Sequence, residues 1–250
     1  VAAPGTAVRA GSGRDAHPLS AHGRIDLGDI LRYRWTLTFL AIAMAYIESA
    51  VVVYLRNLYY PNGFRFPLAF IPAEIYAIEL GRELGTLVMI FTVSWISGRD
   101  RWERFLHFCF LFGIWDLFYY FWLKLFLGWP ESLLTWDVLF LIPIPWVGPI
   151  LAPVLVSVAL VGGSVYLLRL RRHGVAIRFS RATWTAVIAA GLLVIGSFLW
   201  NFPAAAGGRV PARFPWLVFG SAFAAGGVVF LVSVKRLLRS GGERRKNGMD

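Results

Sequence analysis

Glu79, Arg82 and Glu83 stand in the stretch EIYAIELGRELGTLVMIF, Glu74 to Phe91, where most of the other long side chains are apolar. At 100° per residue the three charges share one helix face about 100° wide. Glu79 and Arg82, three residues apart, can pair within the helix, but one arginine does not neutralise two carboxylates. Each unpaired charge in a bilayer core costs about 2.5–3.5 kcal/mol on insertion scales. The surplus carboxylate therefore needs a proton, a cation, water or a basic group from another helix.

Two neighbouring apolar segments carry further candidates. Glu48 lies in the first, and Asp116, Tyr120 and Lys124 recur at i, i+4 and i+8 in the third. With about 1.5 Å of rise per residue, Glu48 and the Glu79–Glu83 face both fall roughly 8–14 Å below the outer boundary. Asp116 is near mid-membrane and Lys124 near the outer edge. The expected site is thus Glu48, Glu79, Arg82, Glu83, Asp116, Tyr120 and Lys124, with Lys124 at its mouth. Four acids against Arg82 and Lys124 leave a formal −2, which favours protons or cations as occupants.

Other chemistry is poorly served. Glu79 and Glu83 could bridge a cation, but a di-iron bundle needs Glu-x-x-His elements, and the chain has none. No H-E-x-x-H, paired cysteines, P-loop or G-x-S-x-G occurs, and Cys109 is the single cysteine. His107 reads as a packing or interfacial residue. No metal centre, cofactor or catalytic residue is assigned.

These side chains need elements to hold them. The 250 residues are 58% hydrophobic and 16% charged, with mean hydropathy +0.62. Soluble domains carry about a quarter charged residues, so a bilayer is the expected solvent. A 30 Å hydrocarbon core needs roughly 20 apolar helical residues. Six segments qualify, near 35–55, 74–97, 105–127, 148–168, 182–200 and 214–234, the second only if its charges are tolerated. The fold class is an all-α, polytopic transmembrane helical bundle of about six spans, forming one domain over 34–236.

Residues 1–33 lack a continuous apolar run and read as a disordered cytoplasmic tail without a cleavable signal. Residues 237–250 read as a basic cytoplasmic tail able to hold anionic lipid. Nineteen Lys and Arg fall in the two tails and the loops after the second and fourth spans; five fall on the alternate side, and Arg82 is buried. Cationic residues collect on the cytoplasmic face, so both termini are expected inside, in a plasma membrane (an inner membrane if bacterial). The net charge of +11 is then a topology signal rather than a nucleic-acid surface.

Between the third and fourth spans, in WPESLLTWDVLFLIPIPWVGP, the apolar run Leu133 to Ile142 is too short to cross a membrane. Pro130, Glu131 and Ser132 suit a helix start, and Pro143 and Pro145 end it. Residues 131–146 are expected to form a short interfacial or re-entrant helix. Lying on the surface, it leaves Asp137 in water; dipping inward, it makes Trp136 and Asp137 part of a lid.

The fourth to sixth spans carry small-residue runs such as GSAFAAGG, suited to scaffold or oligomer contacts. The preferred function is binding and transport of protons, a cation or a small cationic solute at the carboxylates. One alternative is an accessory subunit of a larger membrane complex with the charges as interhelical glue. Another is an intramembrane enzyme on a lipid-like substrate, with Glu79 or Asp116 handling a proton and an apolar groove opening between spans one and three.

Overall fold

The computed structural model describes residues 27–211 and 213–246. Of the tail expected to be disordered over 1–33, residues 1–26 lie outside those described, and 27–33 are helical instead, the first turns of the first helix; the end of the C-terminal tail at 247–250 also lies outside. Among the described residues seven helices and one hairpin follow in order: α1 (Leu27–Tyr59), α2 (Ala73–Ser97), α3 (Arg101–Leu127), β1 (Trp136–Phe140), β2 (Trp146–Pro149), α4 (Leu151–Arg172), α5 (Arg181–Leu199), α6 (Phe202–Ala206) and α7 (Trp216–Lys246). Five of the helices are long and apolar enough to cross a membrane. α2, with its charges, falls outside that set, although 25 residues at about 1.5 Å each would reach across.

α3 is the hub, packed against α1, α2 and α4, while α5 pairs with α7. Leu37, Ala41, Met44 and Ala45 of α1 close on Phe110, Leu111 and Trp115 of α3, with Ile90 of α2 in the same cluster. The α3–α4 seam depends on Gly113. A Cβ there would lie 2.8 Å from the Ser157 carbonyl oxygen and 2.8 Å from Val161 Cγ2, so only glycine admits α4 this closely.

The ends of α3 are chemically specified. Asp100 caps its first turn, its carboxylate accepting the Trp102 and Glu103 amides at 2.8 and 3.1 Å. Burial alone would raise Asp100, but those amides and the Arg171 guanidinium hold it below its ordinary value. At the far end Gly128 takes φ 65°, a left-handed cap that favours glycine, and returns its N–H to the Lys124 carbonyl.

The hairpin replaces the helix expected over 131–146. β1 and β2 pair antiparallel, Asp137 opposite Gly148 and Val138 opposite Val147. The aromatic and β-branched content of WDVLF suits a strand, and Pro143 and Pro145 sit in the connection, where they interrupt no helix. Residues 131–134 form bends and a turn rather than a first helical turn. Behind the hairpin, Trp136 and Trp146 join Ala152, Phe198, Phe214 and Phe219 in an aromatic core.

Helix limits differ from expectation most in the first and last helices, where α1 starts at Leu27 rather than near 35 and α7 runs to Lys246 rather than 234. α1 runs on to Tyr59, α4 begins at Leu151 because residues 146–149 belong to β2, and α7 begins at Trp216. The small residues Gly220, Ser221, Ala224 and Ala225 of α7 are exposed, whereas Gly226 faces Ala190 of α5.

Candidate functional site

α2 is built inside out. Its buried residues are Glu79, Glu83, Thr86, Ile90 and Ser94, spaced four, three, four and four apart along one stripe. Ile78, Leu84, Val88, Phe91 and Trp95 are exposed instead. A helix in water buries its apolar face, so this reversal places the polar face toward α1 and α3 and the apolar face outward.

On that stripe Arg82 is the organising cation. Its Nε and Nη2 donate to Glu79 Oε2 at 2.8 and 2.7 Å, and Nη1 forms an ion pair with Glu48 of α1. Thr86 Oγ1 donates to the other Glu48 oxygen at 3.0 Å. One guanidinium thus joins carboxylates from two helices. Glu83, a turn further on, has a different partner: the Leu141 backbone N–H, just past β1, donates to its Oε2 at 2.8 Å.

Asp116 of α3 turns toward α4 and accepts from Ser157 Oγ at 2.7 Å. Ser157 is also the residue whose carbonyl lies over Gly113, so the close helix crossing brings the hydroxyl within reach.

Arg56, near the end of α1, forms a second buried pair. Its Nη2 donates to Asp137 Oδ1 of β1 at 3.0 Å, and both residues are almost fully buried, at 7% and 2% exposed. Its guanidinium also lies over the Trp129 and Phe64 rings, 3.6 and 4.4 Å from their centroids. Burial pushes the Asp137 carboxyl up to about 6, with Arg56 pulling the other way.

These groups surround one cavity of about 470 Å³. Its wall includes Glu48, Glu79, Arg82, Glu83, Asp116, Arg56 and Asp137, with Tyr60, Tyr76 and Tyr119 and a larger apolar surface. The four acids picked out in the α-helical sequence are therefore brought together, and Asp137 joins them from the hairpin. Asp137 is buried, so the surface placement that left it in water is corrected. It is held in place by Arg56.

Three expected members stand elsewhere. Lys124 donates to the Gly128 and Pro130 carbonyls at 2.9 and 2.8 Å, completing the C-terminal cap of α3, and does not line the cavity. Tyr120 is buried with its ring against Tyr119 and lies outside the cavity wall. Trp136 turns to the opposite face of β1 from Asp137 and packs on Phe214. The i, i+4, i+8 stripe on α3 thus serves separate tasks. Arg56 stands one residue past an apolar span end, a place that gives little sign of burial in the sequence.

A second chamber of about 360 Å³ adjoins the first. Leu87, Phe112, Pro153, Val156, Ile142 and Phe198 form much of its wall, and it shares Trp115, Asp116, Leu139 and Phe140 with the polar cavity. It lies among α2, α3, α4 and the hairpin. α1 and α3 close on each other around Leu37, Ala41 and Ala45, and further along the same two helices the polar cavity has Glu48, Val52 and Leu55 of α1 and Trp115, Asp116 and Tyr119 of α3 in its wall. Among the described residues no group of three or more His, Cys, Asp or Glu is arranged to hold a metal ion. No protein-family model, curated protein or solved structure matches this chain.

Proposed function

We propose that the chain is a multi-pass membrane protein whose carboxylate cavity binds protons or a cation and carries them across the bilayer. The observation that carries this reading is a charge imbalance in one cavity. Five acids line it against two arginines, a formal −3 if all are ionised. Arg82 is committed to Glu48 and Glu79, and Arg56 to Asp137. Glu83 and Asp116 are left with hydrogen-bond donors but no ion pair among the described residues. Helix glue accounts for the arginine pairs and for the single hydrogen bonds of Glu83 and Asp116; it does not call for the surplus of acids in one cavity, and intramembrane acids mark proton and ion pathways.

The inside-out pattern of α2 supports counting it as a sixth span, since lipid then covers Ile78, Leu84, Val88 and Phe91. Basic residues on alternate loops of six spans support the reading that both termini are cytoplasmic and the cavity lies in the outer half of the membrane. The exposed small-residue face of α7 suits a second copy or another subunit.

The test is proton and cation flux in liposomes containing wild type, Glu79→Gln, Glu83→Gln or Asp116→Asn. Wild-type flux, lost in Glu83→Gln and Asp116→Asn, is expected. A well-folded wild type that moves neither protons nor cations refutes the reading.

A further inference from the structure

The polar cavity does not end at its carboxylates. It meets the second chamber across Trp115, Asp116, Leu139 and Phe140, which belong to both walls. Asp116 is thus an acid with one side toward charged groups and the other toward Phe112, Ile142, Val156 and Phe198. A bare inorganic cation gains nothing from such an apolar wall, which cannot replace its hydration. A phosphate or carboxylate head is no better served: Arg56 Nη1 has no acceptor, but both guanidiniums are already paired with carboxylates and are outnumbered by acids.

Unmatched polar atoms mark the same walls. Asp137, 2% exposed and part of the polar cavity, uses Oδ1 for Arg56 and leaves Oδ2 without a donor. The Trp115 indole N–H, on the shared wall, has no acceptor. We infer that the solute of this site is an amphiphilic amine: a protonated nitrogen held by Asp116 and Glu83, with an apolar, preferably aromatic, body in the chamber bounded by α2, α4 and the hairpin. Phe112, Trp115, Phe140 and Phe198 offer ring faces and edges to that body. The two volumes, about 470 and 360 Å³, fall within the range of sites for drug-sized molecules. The inference rests on the cation-binding reading above and narrows its solute.

The test compares phenethylammonium with methylammonium, equal in charge and different in apolar body. Binding is measured calorimetrically to the full chain in lipid nanodiscs, with empty nanodiscs subtracted. Phenethylammonium should bind at least about tenfold more tightly, since a buried ring is worth more than that factor. Val156→Phe from α4 and Leu87→Trp from α2 fill the chamber from opposite walls. Either should remove most of that preference while methylammonium binding stays within about twofold of wild type. Asp116→Asn should weaken both amines.

Equal binding of the two amines by wild type overturns the inference and leaves cation binding standing. So does a preference that survives both filled chambers. If neither amine binds while liposome flux persists, the solute class is wrong and transport is not. If amine binding and flux are both absent, both readings fall together.

Discussion

Replacing Arg82 by Met removes the charge and keeps most of the side chain's volume, so it isolates what the guanidinium does. In the wild type that group holds Glu79 through two hydrogen bonds, at 2.8 and 2.7 Å, and pairs with Glu48 on the neighbouring helix. Without it, two carboxylates that are each 6% exposed share a small volume with no cation between them. Removing one partner of a buried pair costs about 3–5 kcal/mol, because the other charge is left unpaired. For a chain of this size that corresponds to a melting point lower by about 6–20 °C. Intrinsic fluorescence of the detergent-solubilised protein reads it, given 11 tryptophans. The loss should shrink as pH falls, since protonated acids no longer repel. It should also shrink in Arg82→Met with Glu48→Gln and Glu79→Gln, which removes all three charges. A melting point unchanged at neutral pH would refute the idea that Arg82 holds α1 and α2 through their acids.

Three other outcomes follow from the geometry. Gly113→Ala puts a methyl 2.8 Å from two atoms of α4 and should destabilise by about 1–3 kcal/mol, whereas Gly220→Ala, with open space around it, should not; equal melting points for the two variants would contradict the α3–α4 seam. Lys124→Met removes two carbonyl contacts and should cost about 0.5–1.5 kcal/mol each while flux is retained; loss of flux comparable to Asp116→Asn would return Lys124 to the site. Asp137 is held up at about 6 against an ordinary 3.8. Between those values the folded chain keeps a proton that the unfolded chain releases, so stability from this group falls as pH rises through the window. Melting curves should therefore show a larger loss from pH 4 to 7 in wild type than in Asp137→Asn, and parallel profiles would show that burial does not set this group's titration.

The sequence alone determined the apolar helices and picked out four of the acids that share the cavity. Both rest on short-range physics. Helix length against hydropathy is read along the chain, and Glu79, Arg82 and Glu83 share a face through helical periodicity whatever surrounds them. Tertiary structure decided which polar residues belonged with them. Arg56 and Asp137 are separated by 81 positions and meet only because the hairpin folds back over the end of α1. Lys124 left the site because two carbonyls just beyond its own helix end were closer acceptors than any carboxylate. The WDVLF segment became a strand because a partner, residues 146–149, was available across a proline-containing connection, and strand pairing is a property of two segments rather than one. Periodicity tells which side chains share a face; only the packed chain tells what that face meets.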